Sequence, residues 1–408
     1  MLKKRLKKPV KTIYVPYMCD HCYALAAAYR AQGIPAITLP PPNKETLALG
    51  QDLCKGQECL PCFTTTGDIV HLVRQEEFDP EKAAIFMPTT TGSCRFGQYD
   101  ILQKELLREQ GLGQIEFITP SASNSYLGLG DNPVRMRQLI WQGAIAVDLL
   151  QRLTHEYRPY ECQKGETDKV YQLCLDHICG AIEAGADKRL VEAMAWAAKQ
   201  YEALAVDRRE RRPLIGLVGE IYVRLNAFSN QEIIRQVEAA GGEIVFASLG
   251  EWFHFTTWDY KHYTALMDLY VDFFKSTVSE FYQNYTERKL VEPVAHLLRF
   301  PHETPIGKLM ENLKPYYHSD LNSEATLSMG KAIDMFKHDG ACGIINVMPF
   351  SCMPGIITAA MAPRLRADLE NIPWLDLIFD GQEGTNLKTR LEAFIYQAVQ
   401  FQRRKKAS

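Results

Sequence analysis

The sequence lacks any long hydrophobic run. None of its 408 residues belongs to an apolar stretch of the roughly twenty residues that a transmembrane helix needs, and the longest runs, such as LIGLV from Leu214, have the length of a buried strand. We therefore expect no membrane span. The N-terminal MLKKRLKKPVK is basic but contains no apolar signal core, so we interpret it as a solvated tail and expect a cytoplasmic protein.

The sequence also lacks an excess of charge of either sign. Lys and Arg together number 46 and Asp and Glu 49, which gives a formal net charge of -3 at pH 7. A nucleic-acid-binding domain usually carries a basic face or stripe to match the phosphates. Nothing in this balance calls for such a partner, so nucleic acid is not expected to bind.

Three nucleotide-binding signatures are absent as well. The chain has no GxxxxGK[ST] phosphate loop, no acidic phosphate signature of an actin-like ATPase, and no GxGxxG fingerprint. GLVGE, from Gly216, follows a strand-like run but has the wrong glycine spacing, so we interpret it as a tight strand-to-helix turn. We expect no ATP site in this chain.

Cysteine, in contrast, is plentiful. The chain has 11 cysteines, and three of them fall within CKGQECLPC, from Cys54 to Cys62. A chain of this length builds its own hydrophobic core and does not need a disulfide framework. In a reducing compartment, clustered cysteines indicate a metal site, redox chemistry or catalysis.

Two segments of the chain share a strand–helix–strand pattern. The first is KTIYVPYM, DHCYALAAAYRAQG and IPAITLP; the second is RPLIGLVGEIYV, SNQEIIRQVEAAGG with Ser229 as the helix cap, and EIVFAS. Because 408 residues exceed what one core usually fills, two domains are expected. The pattern predicts an α/β fold with two Rossmann-like, doubly wound domains, a bridging helical segment and a helical insertion.

The predicted domains have definite bounds. Residues 1–131 form the N-terminal domain, which carries most of the clustered cysteines, and residues 132–205 form the helical bridge. Residues 206–408 form the second domain, with the insertion at 258–327 and with Cys352.

The aromatic stretch EWFHFTTWDYKHYTALMDLYVDFF, which leads into the insertion, is predicted to be the core of a helical subdomain, since aromatic stripes at helical spacing usually pack inward. A lid or a partner-docking face is the alternative.

Seven cysteines are placed by this pattern in loops that follow strands or begin helices. In open α/β sheets, the loops beyond the carboxyl ends of the strands line the ligand crevice. We therefore predict that these cysteines meet in one cleft between the two domains: Cys19, Cys22, Cys54, Cys59, Cys62, Cys94 and Cys352. The other four are expected to be structural thiols: Cys162, Cys174, Cys179 and Cys342.

Three kinds of chemistry fit such a set. The CDHC and CLPC pairs together could form a four-thiolate zinc site, and either pair alone could be a thioredoxin-like dithiol. A zinc site would leave Cys94 and Cys352 unexplained. Iron-sulfur clusters are held by thiolates and accept ligands that are far apart in sequence, so an iron-sulfur cluster is the favoured interpretation.

Six segments of the sequence resemble a known family. DHCYALAAAYRAQG, GQECLPCFTTTGD, FMPTTTGSCRFGQYDILQ, RPYECQKGETD, GLVGEIYVRLN and MPFSCMPG are similar to the C-terminal cysteine-rich part of the 2-hydroxyacyl-CoA dehydratase and CoA-substrate-specific enzyme activase-related proteins. This family is related to the double-cubane cluster proteins. The resemblance covers most of the chain, and the cysteine loops are its most specific motifs.

The resemblance implies a cofactor and a partner. It implies two Rossmann-like domains that hold a 4Fe-4S cluster or an 8Fe-9S double-cubane cluster, which receives low-potential electrons from a separate ATP-dependent activase or reductase with its own iron-sulfur cluster. Cys59, Cys94 and Cys352 match the typical ligand positions, and Cys62 matches the second cysteine of the ECxPC motif. The additional thiols, Cys19, Cys22 and Cys54, favour the larger cluster, which needs six thiolates.

These inferences lead to three candidate functions. The first is an iron-sulfur oxidoreductase that reduces a small substrate or supports 2-hydroxyacyl-CoA dehydratase-type chemistry; the second is a non-catalytic electron-transfer or cluster-carrier protein; the third is a zinc-stabilised binding protein. A homodimer is one expected assembly. His21 and Arg95 flank the cluster loops and are the catalytic candidates, although a solvent-facing His21 is an equal alternative. Glu220 and Asn226 are expected to face the same crevice.

Overall fold

The computed structural model describes most of the chain. The described residues are 11–55, 57–90, 92, 94–121, 128–318, 321, 323–382, 384 and 386–407. The basic N-terminus, interpreted above as a solvated tail, lies largely outside them. None of the helices within the described residues is long and apolar enough to cross a membrane.

The first sheet has four parallel strands. Their order across the sheet is β2-β1-β3-β4. Each strand pairs in parallel with its neighbour, so the first strand–helix–strand unit is a βαβ unit, as predicted. The strands are β1 Thr12–Val15, β2 Ala36–Thr38, β3 Ala83–Phe86 and β4 Glu116–Ile118.

The second sheet repeats this arrangement. Its order is β6-β5-β7-β8, again with all strands parallel. Every residue of β5 and of β7 is buried, as expected for central strands covered by helices on both faces. The strands are β5 Leu214–Gly219, β6 Glu243–Phe246, β7 Gly343–Pro349 and β8 Trp374–Phe379. The predicted α/β class with two parallel sheets is confirmed.

The helices fall into three groups along the chain. Those of the first sheet are α1 His21–Ala31, α2 Lys44–Leu53, α3 Leu60–Val73 and α4 Tyr99–Glu109. The segment predicted to bridge contains α5 Pro133–Tyr157, α6 Glu166–Glu183 and α7 Lys188–Glu202. The rest are α8 Ile221–Leu225, α9 Ile233–Ala239, α10 Leu249–Leu266, α11 Tyr270–Val291, α12 Ile306–Leu313, α13 Glu324–Asp334, α14 Met353–Asp368 and α15 Leu387–Ala407.

Two local expectations differ from the structure. The helical stretch after β6 begins at Leu249 and continues through α13 to Asp334, beyond both ends of the predicted 258–327. Ser229 does not cap a helix, because the side-chain oxygens of Asn226 and Asn230 accept the backbone N–H groups of Ser229 and Ile233 and hold the chain in turns. The helix α9 therefore starts only at Ile233.

Short polar caps fix where several helices begin. The side chain of Asn43 accepts the N–H groups of Glu45 and Thr46, while the Thr46 hydroxyl accepts the N–H of Asn43, which forms a capping box for α2. At α10, the Ser248 hydroxyl accepts the N–H of Glu251. The helix α2 was not predicted from sequence, and it carries Cys54 at its C-terminal end.

One backbone crossing joins α2 to α3. A Cβ atom built on Gly67 would lie 1.7 Å from the carbonyl oxygen of Thr46, and one built on Gly50 would lie 1.9 Å from the carbonyl oxygen of Phe63. Only glycine permits such an approach, because any side chain would overlap the opposite backbone. The crossing places the C-terminal end of α2 beside the first turn of α3, which contains Cys62.

We predict that Gly67→Ala destabilises the protein. The new methyl group has to push α2 away from α3, and overpacking of this kind costs about 1–3 kcal/mol. Chemical denaturation should show a lower midpoint. Gly180→Ala is the matched control, since Gly180 lies inside α6 with nothing within 4 Å of its Cβ position, so there alanine should raise the midpoint slightly. An unchanged midpoint for Gly67→Ala would contradict the crossing.

Candidate functional site

The two sheets place equivalent loops at their carboxyl ends. In each sheet the strand order reverses between the two central strands, β1 and β3 in the first and β5 and β7 in the second. Ligands of open α/β sheets bind at such a switch point. The loops that follow these four strands contain Cys19, Cys94, Glu220 and Cys352. They therefore bring three thiols and one carboxylate to the switch points.

Cysteines precede two long helices at this end of the molecule. Cys59 is the N-cap residue of α3, and Cys352 is the N-cap residue of α14. In both cases a proline follows within the first turn and starts the helix. A helix N-terminus favours negative charge and so offsets part of the effect of burial, which raises the pKa of both thiols. Both residues are buried.

Three thiols from three loops act on one another electrostatically. Desolvation raises the pKa of Cys94 to about 11, and the charges of Glu220, Glu324 and Cys59 add to the effect. Burial also raises the pKa of Cys352, with further contributions from Glu220, Glu324 and Cys94. Cys94 therefore lies within electrostatic reach of Cys59, from the first sheet, and of Cys352, from the second. Cys94 is the exposed member of this group, which we call the thiol trio.

Arg95 ties the three loops of the thiol trio together. Its Nη1 donates to the carbonyl oxygen of Gln57 at 2.6 Å, and its Nη2 donates to the carbonyl oxygen and to Oγ of Ser351, both at 2.8 Å. Arg95 itself follows Cys94, Gln57 lies two residues before Cys59, and Ser351 directly precedes Cys352. A single guanidinium thus positions all three cysteine-bearing loops.

Cys54 and Cys62 form a second group. A hydrogen bond between the two thiols lowers the pKa of Cys54 and raises that of Cys62, and burial raises both. The charge of Cys59 raises the pKa of Cys62 further, so this pair adjoins the thiol trio. The same buried cluster contains these three cysteines and apolar residues of β5 and β7, which shows that α3 packs into a core shared with the second sheet.

Cys19 and Cys22 form a third group around His21. Their hydrogen bond raises the pKa of Cys19 and lowers that of Cys22 to about 7. His21 is buried, with Nδ1 3.3 Å from Cys19 Sγ and Nε2 3.0 Å from Asp148 Oδ1. A solvent-facing His21 is therefore excluded, because both ring nitrogens have partners inside the protein.

The predicted crevice residues occupy different roles. Asn226 is completely buried, and its Nδ2 donates to the carbonyl oxygen of Met18 at 3.2 Å, which joins the second sheet to the strand end before Cys19. Of the four cysteines expected to be structural, Cys174 and Cys342 are buried, Cys179 is half-buried and Cys162 is exposed. Within the described residues, no three His, Cys, Asp or Glu side chains are grouped so that they could hold a metal ion.

Two carboxylates lie beside the thiol trio: Glu220, which was predicted from the sequence, and Glu324, which was not. The Glu220 carboxylate accepts the N–H groups of Tyr222 and Val223, and Glu324 Oε1 accepts the N–H of Ile221. Burial raises the pKa of Glu220, and burial together with the charge of Glu220 raises that of Glu324 to about 8. Glu324 is the first residue of α13 and lies about 100 residues after Glu220 in the sequence. Its position at the start of a helix was the only sequence feature that distinguished it.

Tyrosine hydroxyls complete the surroundings of Cys59. The hydroxyl of Tyr99 lies 2.5 Å from Cys59 Sγ. On the other side of α3, the hydroxyl of Tyr222 lies 2.6 Å from Thr64 Oγ1 and links the first turn of α8 to α3. Both tyrosines are buried. They link the N-terminal end of α3 to α4 in the first half of the chain and to α8 in the second.

Comparison with known proteins adds no family assignment. No protein-family model matches the chain, and no curated protein is significantly similar to it.

We predict that Arg95→Ala loosens the thiol trio. Losing the hydrogen bonds of a charged donor removes about 1–3 kcal/mol of interaction at most, and less at an exposed position. Alkylation of Cys352 and Cys59 in the metal-free protein, followed by mass spectrometry, should accelerate about five- to tenfold. Arg364→Ala is the control, because Arg364 lies more than three turns along α14 from Cys352 and donates to Pro315. Equal rates in both variants would contradict the clamp.

We predict a pH-dependent effect of Glu324→Gln. In the folded protein the pKa of Glu324 is about 8, whereas in the unfolded chain it has its ordinary value of 4.5. Between these two values only the unfolded chain loses the proton, so the free energy of unfolding falls as the pH rises. Glutamine keeps the acceptor for the Ile221 N–H without the charge. The variant should be more stable than the natural protein at pH 8.5, by about 1–2 kcal/mol, with the difference shrinking toward pH 5. Denaturation midpoints at several pH values measure this difference in stability. Glu77→Gln, at an exposed position, is the control. A difference that does not change with pH would contradict the raised pKa of Glu324.

Proposed function

We propose that this chain is an iron-sulfur protein whose cluster is held by the thiol trio, Cys59, Cys94 and Cys352. One observation carries the proposal: thiols from loops of both sheets lie at the switch points, and Arg95 holds their loops in register. The donor set is chemically suitable, because thiolates are the usual ligands of such clusters. When bound, the cluster would supply low-potential electrons.

A 4Fe-4S cluster is the form that the arrangement favours. Three thiolates fill three of its four iron positions and leave one for a substrate or another ligand. The 8Fe-9S double-cubane cluster is the second candidate, and the pair Cys54 and Cys62 beside Cys59 supports it. The pair Cys19 and Cys22 would then be the source of a sixth ligand.

Side chains of this chain could donate a proton to a substrate and hold the cysteine loops in place. Glu324 shares its surroundings with Glu220, and the raised pKa of Glu324 keeps it protonated near neutral pH. A protonated carboxyl beside the thiol trio can donate a proton to a substrate that is reduced or loses a hydroxyl group. Arg95 positions the loops and places a positive charge next to a negatively charged cluster. The proposed catalytic candidates are thus Glu324 and Glu220, with Arg95 as a positioning residue.

The proposed electron donor is a separate ATP-dependent activase or reductase with its own iron-sulfur cluster. This chain has no phosphate-binding loop, so the proposal assigns the ATP-dependent step to a separate protein. Cys94 is the exposed member of the thiol trio, which makes its loop the nearest point for electron entry. The proposed substrate is a small molecule, and the proposed fold of each half is Rossmann-like. A non-catalytic electron carrier with the same cluster is the alternative.

We predict that the protein purified anaerobically is brown and contains iron and acid-labile sulfide. About four irons per chain indicate the single cluster and about eight the double cubane. Cys352→Ser should lose most of the absorbance near 400 nm, because it removes the ligand from the second sheet. Cys162→Ser removes an exposed thiol from outside the three groups and should keep the full cluster.

Two outcomes would contradict this function. A colourless protein that contains zinc and no iron would support the zinc-stabilised binding protein instead. An unchanged cluster in Cys352→Ser would show that the second sheet contributes no ligand. If the cluster is present, loss of substrate turnover in Glu324→Gln with retained absorbance separates the enzyme from the electron carrier, since a carrier needs no proton donor.

A further inference from the structure

The hairpin formed by α10 and α11 exposes an unusual amount of apolar surface. Between Tyr260 and Tyr285, twelve large hydrophobic side chains are exposed. Tyr270 is 77% exposed, Phe281 71% and Phe274 69%. The predicted aromatic core is found for Trp252, Phe255 and Trp258, which pack into or against the core, but not from Tyr260 onward. We call residues 260–285 the apolar hairpin.

Among the described residues, the side-chain hydrogen bonds from α5 to the hairpin reach only the base of the hairpin. Trp141 Nε1 donates to Thr286 Oγ1 at 2.8 Å, and Gln142 Nε2 donates to the hydroxyl of Tyr282 at 2.9 Å. From Tyr282 back to the start of α11 at Tyr270, the helix runs for about 18 Å at 1.5 Å per residue. The apolar hairpin therefore projects from α5 toward its turn.

The exposed apolar area is large enough for a stable interface. A large side chain buries about 150–250 Å² when it is fully covered, so twelve that are roughly half exposed present on the order of 1,000 Å². The largest apolar patch of a typical monomer measures about 300–600 Å². A standard protein interface buries about 800 Å² on each partner. The exposed apolar area of the hairpin is therefore larger than the usual patch on a monomer and as large as one side of a standard interface.

The charges of the hairpin are nearly balanced and paired within it. Residues 260–285 contain two lysines and three acidic residues. Lys261 Nζ lies 2.6 Å from Glu280, and Lys275 Nζ lies 2.9 Å from Asp272. Such a surface has no basic excess to attract anionic lipid headgroups and no strong field to select an oppositely charged protein. It suits a partner that is equally apolar and neutral.

We propose that the occupant of this surface is a second copy of the same chain. In a twofold dimer the same patch meets itself, so a neutral apolar patch is complementary to its own copy. Two helical hairpins packed face to face form a four-helix arrangement, in which each apolar hairpin buries on its partner the apolar surface that α5 does not cover. This proposal does not depend on the bound cofactor.

The test is the mass of the full chain in solution, measured by light scattering after size-exclusion chromatography and by sedimentation velocity between about 1 and 50 µM. The natural protein should have twice the chain mass of 46.4 kDa. The double variant F274E/F281E should be monomeric, because glutamates meet like charges across the twofold axis and raise the dissociation constant at least about 100-fold. Circular dichroism and the thermal midpoint check that it folds.

Tyr396→Glu provides the matched control. Tyr396 is an exposed aromatic residue on α15, outside the hairpin, so this variant should remain dimeric. A natural protein that is monomeric over the whole range would overturn the proposal, as would a dimer that persists in F274E/F281E. A monomer that co-sediments with phosphatidylcholine vesicles would also overturn it and would make a lipid surface the occupant.

Discussion

The site depends on one interaction, the set of hydrogen bonds from the Arg95 guanidinium. The carbonyl groups of Gln57 and Ser351 belong to loops of opposite halves of the chain, and the third loop carries Arg95 itself. Guanidinium suits this task because its donors have a fixed fork geometry and its charge persists at any relevant pH. Ser351 adopts a positive φ of 58°, a conformation that the surrounding structure has to enforce in a residue with a side chain. The clamp therefore stabilises a strained loop next to Cys352.

The two halves reach this clamp through the same sheet topology. Each sheet reverses its strand order between its two central strands, so each half presents loops at one end, and the shared core of α3, β5 and β7 keeps those ends together. The cysteines fall into a trio and two pairs by the thiols whose pKa they influence. The trio spans the halves, whereas each pair is local to one helix start or one helix crossing. The groups have distinct surroundings, since Cys54, Cys59 and Cys62 belong to one buried cluster and Cys22 to the other.

The α/β class and the strand positions could be predicted because apolar runs bounded by glycine and proline are local signals. The general position of the cysteine loops followed from the rule for parallel sheets. Their grouping could not be predicted, since it depends on contacts distant in sequence, such as Gly67 against Thr46. Glu324 was missed for the same reason. The apolar hairpin was assigned to a core because sequence spacing cannot distinguish a helix buried in its own chain from one that presents its apolar face outward.

Asp148 on α5 links the third cysteine group to the hairpin. Its Oδ1 lies 3.0 Å from His21 Nε2 and accepts the N–H of Leu249, while its Oδ2 accepts the N–H of Gly250. One carboxylate therefore satisfies the first turn of α10 and orients the imidazole that contacts Cys19. Any rotation of α10 at its base has to stretch this bond or carry His21 with it. The start of the hairpin and the CDHC turn are thus mechanically coupled through a single buried side chain.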